Sequence, residues 1–358
     1  MAERRILVTG ATGFIAGHCV SELLQHGYAV RGTVRDPRTA DVAHLRAIAD
    51  QTGGSLEFVA ARLDSDAGWA AAVAGCDGVL HLASPVPAGV PKNENELIRP
   101  AVDGTLRVLR AAADAGTVRR VVLTSSMDAI VNGHRHGQGH GDQVRTEADW
   151  SNVDRIAPYP KSKTLAERAA WEFAADRDLE LVTINPGMVV GPLLRAQHAT
   201  SMEAVRQLLA RWLPGVPRLS FAVVDVRDVA AAHRLAMETP AAAGNRYICA
   251  ASTLWLGEIA EVLAAEFGPR GYRVPTRTLP YWLTWIGARF DATIRLALTY
   301  YDVPMLVSAD KAKRELGWSP RPAEAAIIAA ADSLIRYGIV PRGKRDTTTT
   351  QPRIPDPR

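Results

Sequence analysis

The strongest constraint in this chain is a rhythm. Through the first half, apolar runs of strand length at residues 5–9, 29–34, 56–59, 78–82, 120–124 and 179–185 alternate with helical spacing. Ile15, Cys19, Val20, Leu23 and Leu24 mark one helix, stopped at Gly27. Leu45, Ile48 and Ala49 mark a second, Leu97, Val102, Leu106 and Leu109 a long third, and residues 159–175 an alanine-rich fourth. Strands that alternate with helices build a parallel sheet covered on both faces. Right-handed crossovers make that sheet doubly wound. After Gly191 the rhythm breaks, and Pro192, Pro214, Pro217, Pro275, Pro280 and Pro304 punctuate shorter pieces. Residues 221–226 and 246–249 are expected as strands that return to the main sheet, and the remainder as a smaller, mostly helical lobe over its carboxyl edge. The expected division is 1–190 for the sheet domain, 191–340 for the lobe and 341–358 for a disordered tail.

Charge excludes a nucleic-acid surface. The net charge is +4, but residues 341–358 alone carry an excess of three, which leaves about +1 for the remainder. Cys19, Cys76 and Cys249 match neither a metal motif nor a disulfide framework. With no signal segment at the N-terminus, a reducing, cytoplasmic setting is expected. The longest apolar stretch, 279–301, is broken by Arg289, Asp291 and Arg295, so no membrane span is expected.

Directly after the first strand stands Gly10-Ala-Thr12-Gly13-Phe14-Ile15-Ala16-Gly17, which opens a helix. Gly10 permits the tight turn and Gly13 lets the backbone approach a pyrophosphate at the positive helix end. In this context the pattern marks a Rossmann-type dinucleotide site. An NAD site carries an acid at the end of the second strand, for the ribose hydroxyls. Here that place is Val34, followed by Arg35. A guanidinium can bond a 2′-phosphate and stack on adenine, which points to NADP(H). The plainer alternative is a solvated loop arginine, since Arg31 and Arg38 lie nearby.

Tyr159-Pro-Lys-Ser-Lys163 sets a phenol and an ammonium four residues apart on one helix face. A neighbouring Lys⁺ favours the phenolate and is expected to lower the tyrosine pKa from about 10. The fifth strand ends in Thr124-Ser125-Ser126, and a serine hydroxyl at such a strand end can donate to a substrate carbonyl. Glycine turn, strand-end serine and Tyr/Lys helix follow in that order, each in its expected structural slot for catalysis.

The motifs together resemble the extended short-chain dehydrogenases/reductases, and among them the dihydroflavonol 4-reductase, cinnamoyl-CoA reductase and microbial aldehyde reductase group. They are Val8-Thr-Gly-Ala-Thr-Gly-Phe-Ile, Thr33-Val-Arg-Asp-Pro37, Val79-Leu-His-Leu-Ala-Ser-Pro85, Thr124-Ser-Ser126, Tyr159-Pro-Lys-Ser-Lys-Thr-Leu-Ala-Glu-Arg168, Ile184-Asn-Pro-Gly-Met-Val-Val-Gly-Pro192 and Leu316-Gly-Trp-Ser-Pro-Arg321. The resemblance runs over residues 4–340 or so. It implies an NADPH-dependent carbonyl reductase, aldehyde or ketone to alcohol. Ser126, Tyr159 and Lys163 are the implied catalytic residues, with Tyr159 as general acid and Lys163 also on the nicotinamide ribose. Implied cofactor contacts are Gly10, Thr12, Gly13, Phe14, Ile15, Arg35, Leu63, Leu82, Ala83, Ser84, Thr124, Pro186 and Val189. Ser84, Met127, Asp128 and Met188 are the implied substrate contacts. No metal is implied, and a small molecule is the expected partner of a monomer or homodimer.

Two departures stand out. The family's Ala-Asp-Leu run, whose acid approaches adenine, is Ala61-Arg62-Leu63 here, with the acid displaced to Asp64. Asp128 replaces a small or hydroxylic residue; it either faces the pocket and selects substrates with a hydroxyl or amine, or turns to solvent or caps a turn. His134, His136 and His140, in a glycine-rich stretch, read as a loop rather than a zinc site. Asp225 and Asp228 read as structural acids. Rival readings are a 3β-hydroxysteroid dehydrogenase-like enzyme, a nucleotide-sugar epimerase or dehydratase, and a non-catalytic NADP-binding sensor.

Overall fold

Seven parallel strands form the central sheet of the computed structural model, which describes residues 4–85, 93–134, 143–197, 199–290, 292–343 and 345. The first half runs β1 (Arg5–Val8), α1 (Phe14–Gln25), β2 (Ala29–Val34), α2 (Ala43–Thr52), β3 (Leu56–Ala60), α3 (Trp69–Val73), β4 (Gly78–His81), α4 (Asn95–Asp114), β5 (Arg120–Thr124), α5 (Pro158–Ala175) and β6 (Glu180–Pro186). The second runs β7 (Met188–Val190), α6 (Glu203–Leu209), β8 (Ser220–Asp225), α7 (Val226–Glu238), β9 (Arg246–Cys249), β10 (Ser252–Trp255), α8 (Leu256–Phe267), α9 (Tyr281–Gly287), α10 (Ala292–Leu298), α11 (Asp310–Leu316) and α12 (Ala323–Arg336). The order across the sheet is β3-β2-β1-β4-β5-β6-β9. It reverses direction between β1 and β4, so a crevice opens at their carboxyl ends, where such sheets bind ligands.

The strands carry two cores because their side chains alternate. Ile6, Val8, Leu80, Val122 and Val182 face one way, onto α1, α7 and α11. Leu7, Val79, Val121, Leu123 and Leu181 face the other, onto α3, α4 and α5. The buried stripe of α4 is Leu97, Ile98, Ala101, Gly104, Thr105, Val108, Leu109 and Ala112, whereas Val102 and Leu106 of the expected stripe are only half-buried. Gly104 shifts the stripe: its missing side chain admits Leu63, whose Cβ lies 3.2 Å from where a Cβ would stand.

The second half corrects one strand expectation. β9 pairs with β6 in the main sheet, but β8 does not return to it. It lies between β7 and β10 in a separate three-stranded sheet. That sheet packs with α6, α8 and α12 around Val190, Val223, Leu263 and Ile327. Asp225 caps α7 by accepting from Arg227 N at 2.8 Å. Asp228 accepts from the backbone and guanidinium of Arg321 while its carbonyl takes the Trp318 indole N–H, which ties α7 to the Leu316–Arg321 motif. The three cysteines are buried and free. Among the described residues no helix is long and apolar enough to cross a membrane.

Candidate active site

The glycine turn is pinned from two sides. Gly10 N donates to Thr33 Oγ1 at 2.9 Å and Ala11 N to Thr33 O at 3.0 Å, which fixes the turn on β2. Thr9 Oγ1 accepts from Leu82 N at 3.0 Å and Ala83 N at 2.9 Å, which fixes the exit of β4 beside it. Gly10 has φ +64°, and a Cβ there would stand 3.2 Å from Ala83 Cβ. Gly13 caps α1 without a side chain, so the first-turn N–H groups stay open to an anion. A Cβ at Gly13 would stand 3.2 Å from the Gly10 carbonyl oxygen. This open cradle fits a dinucleotide pyrophosphate.

At the end of β2, Val34 is buried and Arg35 is exposed. Its neighbours are committed elsewhere. Arg31 donates to Glu57 Oε1 at 2.6 Å and to the Ala74 carbonyl at 2.6 Å. Arg38 grips both oxygens of Asp36, at 3.0 and 3.1 Å. Among the described residues no carboxylate holds Arg35, so of the three arginines it is the one left for a phosphate.

The catalytic candidates gather where β5 ends under α5. Pro158 occupies the first turn of α5, where its missing N–H costs nothing, and Tyr159 and Lys163 follow on one face. Lys163 Nζ lies 5.9 Å from the Tyr159 ring centre and donates to Ser84 Oγ at 3.0 Å. Ser126 caps the short turn Met127–Ala129, accepting from Asp128 N at 3.1 Å. Its hydroxyl donates in turn to Asp128 Oδ2 at 3.1 Å, and Asn132 Nδ2 donates to Asp128 Oδ1 at 2.9 Å. Asp128 therefore shapes the turn, and its charge acts on Tyr159 and Lys163.

Burial dominates the electrostatics here. It pushes the Tyr159 phenol well above its ordinary range, and the Asp128 carboxylate adds to the effect. The Tyr-x-x-x-Lys spacing predicts that Lys163 lowers this pKa; in the fold, burial and then Asp128 set the direction. Burial also lowers Lys163 to about 8, against the pull of Asp128 and Glu167. Asp128 is raised by burial, against hydrogen bonds from Asn132 and Ser126 and the charge of Lys163. His81 is held neutral, lowered to about 3 by burial and then by Lys163. Thr9 Oγ1 already accepts two N–H groups, so its hydroxyl donates to His81 Nδ1 at 2.9 Å.

Beneath the site lies a buried network. Glu167, one helical turn beyond Lys163, accepts from Ser125 Oγ, from Asn185 Nδ2 at 2.8 Å and from Arg246 Nε at 2.6 Å. Asn185 Nδ2 also donates to the Ser126 carbonyl at 3.1 Å. The position of Ser126 is thus set from below. The recurrence of Tyr159, Lys163 and Glu167 at intervals of four was a sequence signal for this network. Tyr300, raised to about 12 by burial and then by the charge of Asp128, has no such signal, because the two are 172 residues apart in sequence.

Several other expected contacts are placed as follows. Phe14 meets the His18 ring edge-on at 5.8 Å. The Thr124 hydroxyl donates to His233 Nε2 at 2.7 Å, on the α7 side of the sheet. Asp64 pairs with Arg62 at 2.8 Å on the surface. Met127 is buried with Ile130, Ala222 and Ile248, Val189 is buried in β7, and Met188 packs against the lobe core. Pro186 closes β6. His134 bonds the Ile130 carbonyl at 2.8 Å; His136, His140 and most of the tail lie outside the described residues.

Comparison with known proteins places the chain in a family. Residues 6–250 match the family described as NAD dependent epimerase/dehydratase. The chain is 36% identical to an anthocyanidin reductase of Vitis vinifera over 292 residues, covering 77% of this chain and 84% of that one. It is 40% identical to cinnamoyl-CoA reductase 1 of Petunia hybrida over 276 residues, covering 76% and 79%. Among solved structures it is similar to the yeast methylglyoxal/isovaleraldehyde reductase complexed with NADPH, with a TM-score of 0.75 and 26% identity over 93% of this chain and 99% of that one.

Proposed function

The chain belongs to the NAD dependent epimerase/dehydratase family, the extended short-chain dehydrogenases/reductases, and from that premise we propose that it reduces the carbonyl group of a small molecule with NADPH. The observation that carries this reading is the half-buried Tyr159–Lys163 pair, within electrostatic reach of Asp128 on the turn that Ser126 caps, at the carboxyl edge of a parallel sheet next to an open phosphate turn.

Gly10, Gly13, Ala83, Ser84, Lys163 and Arg35 would hold the dinucleotide, which supplies a hydride to the carbonyl carbon when bound. The chain's own residues do the remainder. Tyr159 carries its proton at neutral pH and would donate it to the carbonyl oxygen as charge develops there, with the Lys163 ammonium beside it to offset the phenolate left behind. Carbon gains a hydride, oxygen gains a proton, and the product is the alcohol. Ser126 donates a hydrogen bond to the same oxygen as charge develops on it, turning its hydroxyl away from Asp128. Lys163 keeps a positive charge beside the phenol and Ser84 orients it. Asp128, within electrostatic reach of Tyr159, Lys163 and Tyr300, selects substrates with a hydrogen-bond donor near the carbonyl. The lack of an acid at Val34 favours the reductase reading over the epimerase one.

The test is oxidation of NADPH against NADH over aromatic aldehydes, α-keto esters, flavanonols and steroid ketones. Turnover with NADPH preferred is the expected result. Tight NADPH binding without turnover on any carbonyl compound would contradict it and favour a sensor role.

A further inference from the structure

Five buried side-chain polar atoms lack a hydrogen-bond partner among the described residues, and two of them, Arg195 Nε and His44 Nδ1, belong to one cluster. Neither belongs to the motifs that identify the cofactor turn. Arg195 lies in the segment after β7, which doubles back along α1. His18 Nε2 donates to the Pro192 carbonyl at 2.8 Å, and Leu194 Cδ1 would be 3.3 Å from a Cβ at Gly17. The guanidinium then spans the gap between two loops. Its Nη2 donates to the Thr12 carbonyl in the glycine turn at 3.2 Å, and its Nη1 to Asp41 Oδ2, between β2 and α2, at 3.3 Å. Both contacts are long for charge-assisted bonds, and the buried Nε–H has no acceptor among the described residues. His44 brings no charge of its own: burial, then Arg195, lowers it to about 4.

The place matters. Arg195 touches the loop that begins one residue past the end of β2, the loop on which Arg35 stands. An arginine held by long contacts, one of them to an exposed carboxylate beside a phosphate turn, is poised to trade that carboxylate for a stronger anion. We infer that Arg195 is a second arginine for the adenosine 2′-phosphate, shared between Asp41 and that phosphate, so that the two lobes jointly set the preference for NADPH over NADH. This inference rests on the NADP(H) reading above. Asp41 acquires a role of its own, since it holds Arg195 when no phosphate is bound and repels the phosphate when one is.

The experiment is equilibrium binding of NADPH and NADH, read by fluorescence, in the full-length protein and its Arg195→Ala, Asp41→Asn and Arg35→Ala variants, with folding checked by thermal melting. Arg195→Ala is expected to weaken NADPH roughly tenfold to a hundredfold, the loss of one charge-assisted contact, and NADH by less than about threefold. Asp41→Asn has the opposite sign: NADPH binds about two- to tenfold tighter and NADH is unmoved. Equal weakening of both cofactors by Arg195→Ala would assign the arginine to the shared pyrophosphate and overturn the proposal. So would no change, or a loss of NADPH affinity in Asp41→Asn. If the unmodified protein prefers NADH and Arg35→Ala changes nothing, the NADP(H) reading itself fails.

Discussion

The two ends of the cleft are built differently. Around Ser126 the polar groups hold one another: Ser126 to Asp128, Asp128 to Asn132, Lys163 to Ser84, and Glu167 to Ser125, Asn185 and Arg246. Around the glycine turn the backbone is pinned by Thr33 and Thr9, but the anion-facing groups stay open among the described residues: the α1 N-terminus has no side-chain cap, Arg35 has no carboxylate, and Arg195 and His44 each keep an unpartnered nitrogen, as Arg246 does at the first end. The first end is set in place by the fold, as chemistry that depends on fixed geometry requires. The second is completed by an anionic ligand. Substitutions at the first should therefore reach turnover or stability, and those at the second should reach cofactor affinity.

Lys163→Met should break the comparison most deeply. It removes the charge beside Tyr159 and the bond to Ser84, and carbonyl reduction should fall about a hundred- to ten-thousandfold, measured as kcat with saturating NADPH. Glu167→Gln should act on the fold instead. It breaks a buried ion pair with Arg246, whose partners are 0% and 9% exposed, and should cost on the order of 3–5 kcal/mol in denaturant unfolding. A loss below about 1 kcal/mol would show that the network is not what fixes Ser126.

Asp128→Asn is the subtler probe. Lys163 is lowered to about 8, so reduction should hold below that pH and decline above it as the ammonium is lost. Asp128 raises Lys163, so removing its charge should lower Lys163 further and move the alkaline limb of kcat/KM to lower pH. A limb that stays put would separate Asp128 from the acid–base machinery.

Much of the sheet domain was legible because parallel strands are buried on both faces. β2 falls on 29–34 and β5 on 120–124, as their apolar runs predict. Chain-local signals also marked the glycine turn and the Tyr159–Lys163 spacing. What escaped is tertiary. β8 is apolar enough for the main sheet, and only its pairing with β7 and β10 decides otherwise. Arg195 bonds Thr12, and Tyr300 comes within electrostatic reach of Asp128, across more than 170 residues of sequence, with no local pattern to announce them. The direction of the Tyr159 shift depends on burial and on Asp128, neither visible in a Tyr-x-x-x-Lys motif.

The most direct measurement is Tyr159→Phe, read twice on the same preparation: NADPH affinity by fluorescence, and single-turnover reduction of the best carbonyl substrate. The account predicts an affinity within about threefold of the unmodified protein and a reduction rate lower by roughly a hundred- to ten-thousandfold. A rate that survives with affinity intact would contradict it, because the proton would then come from elsewhere.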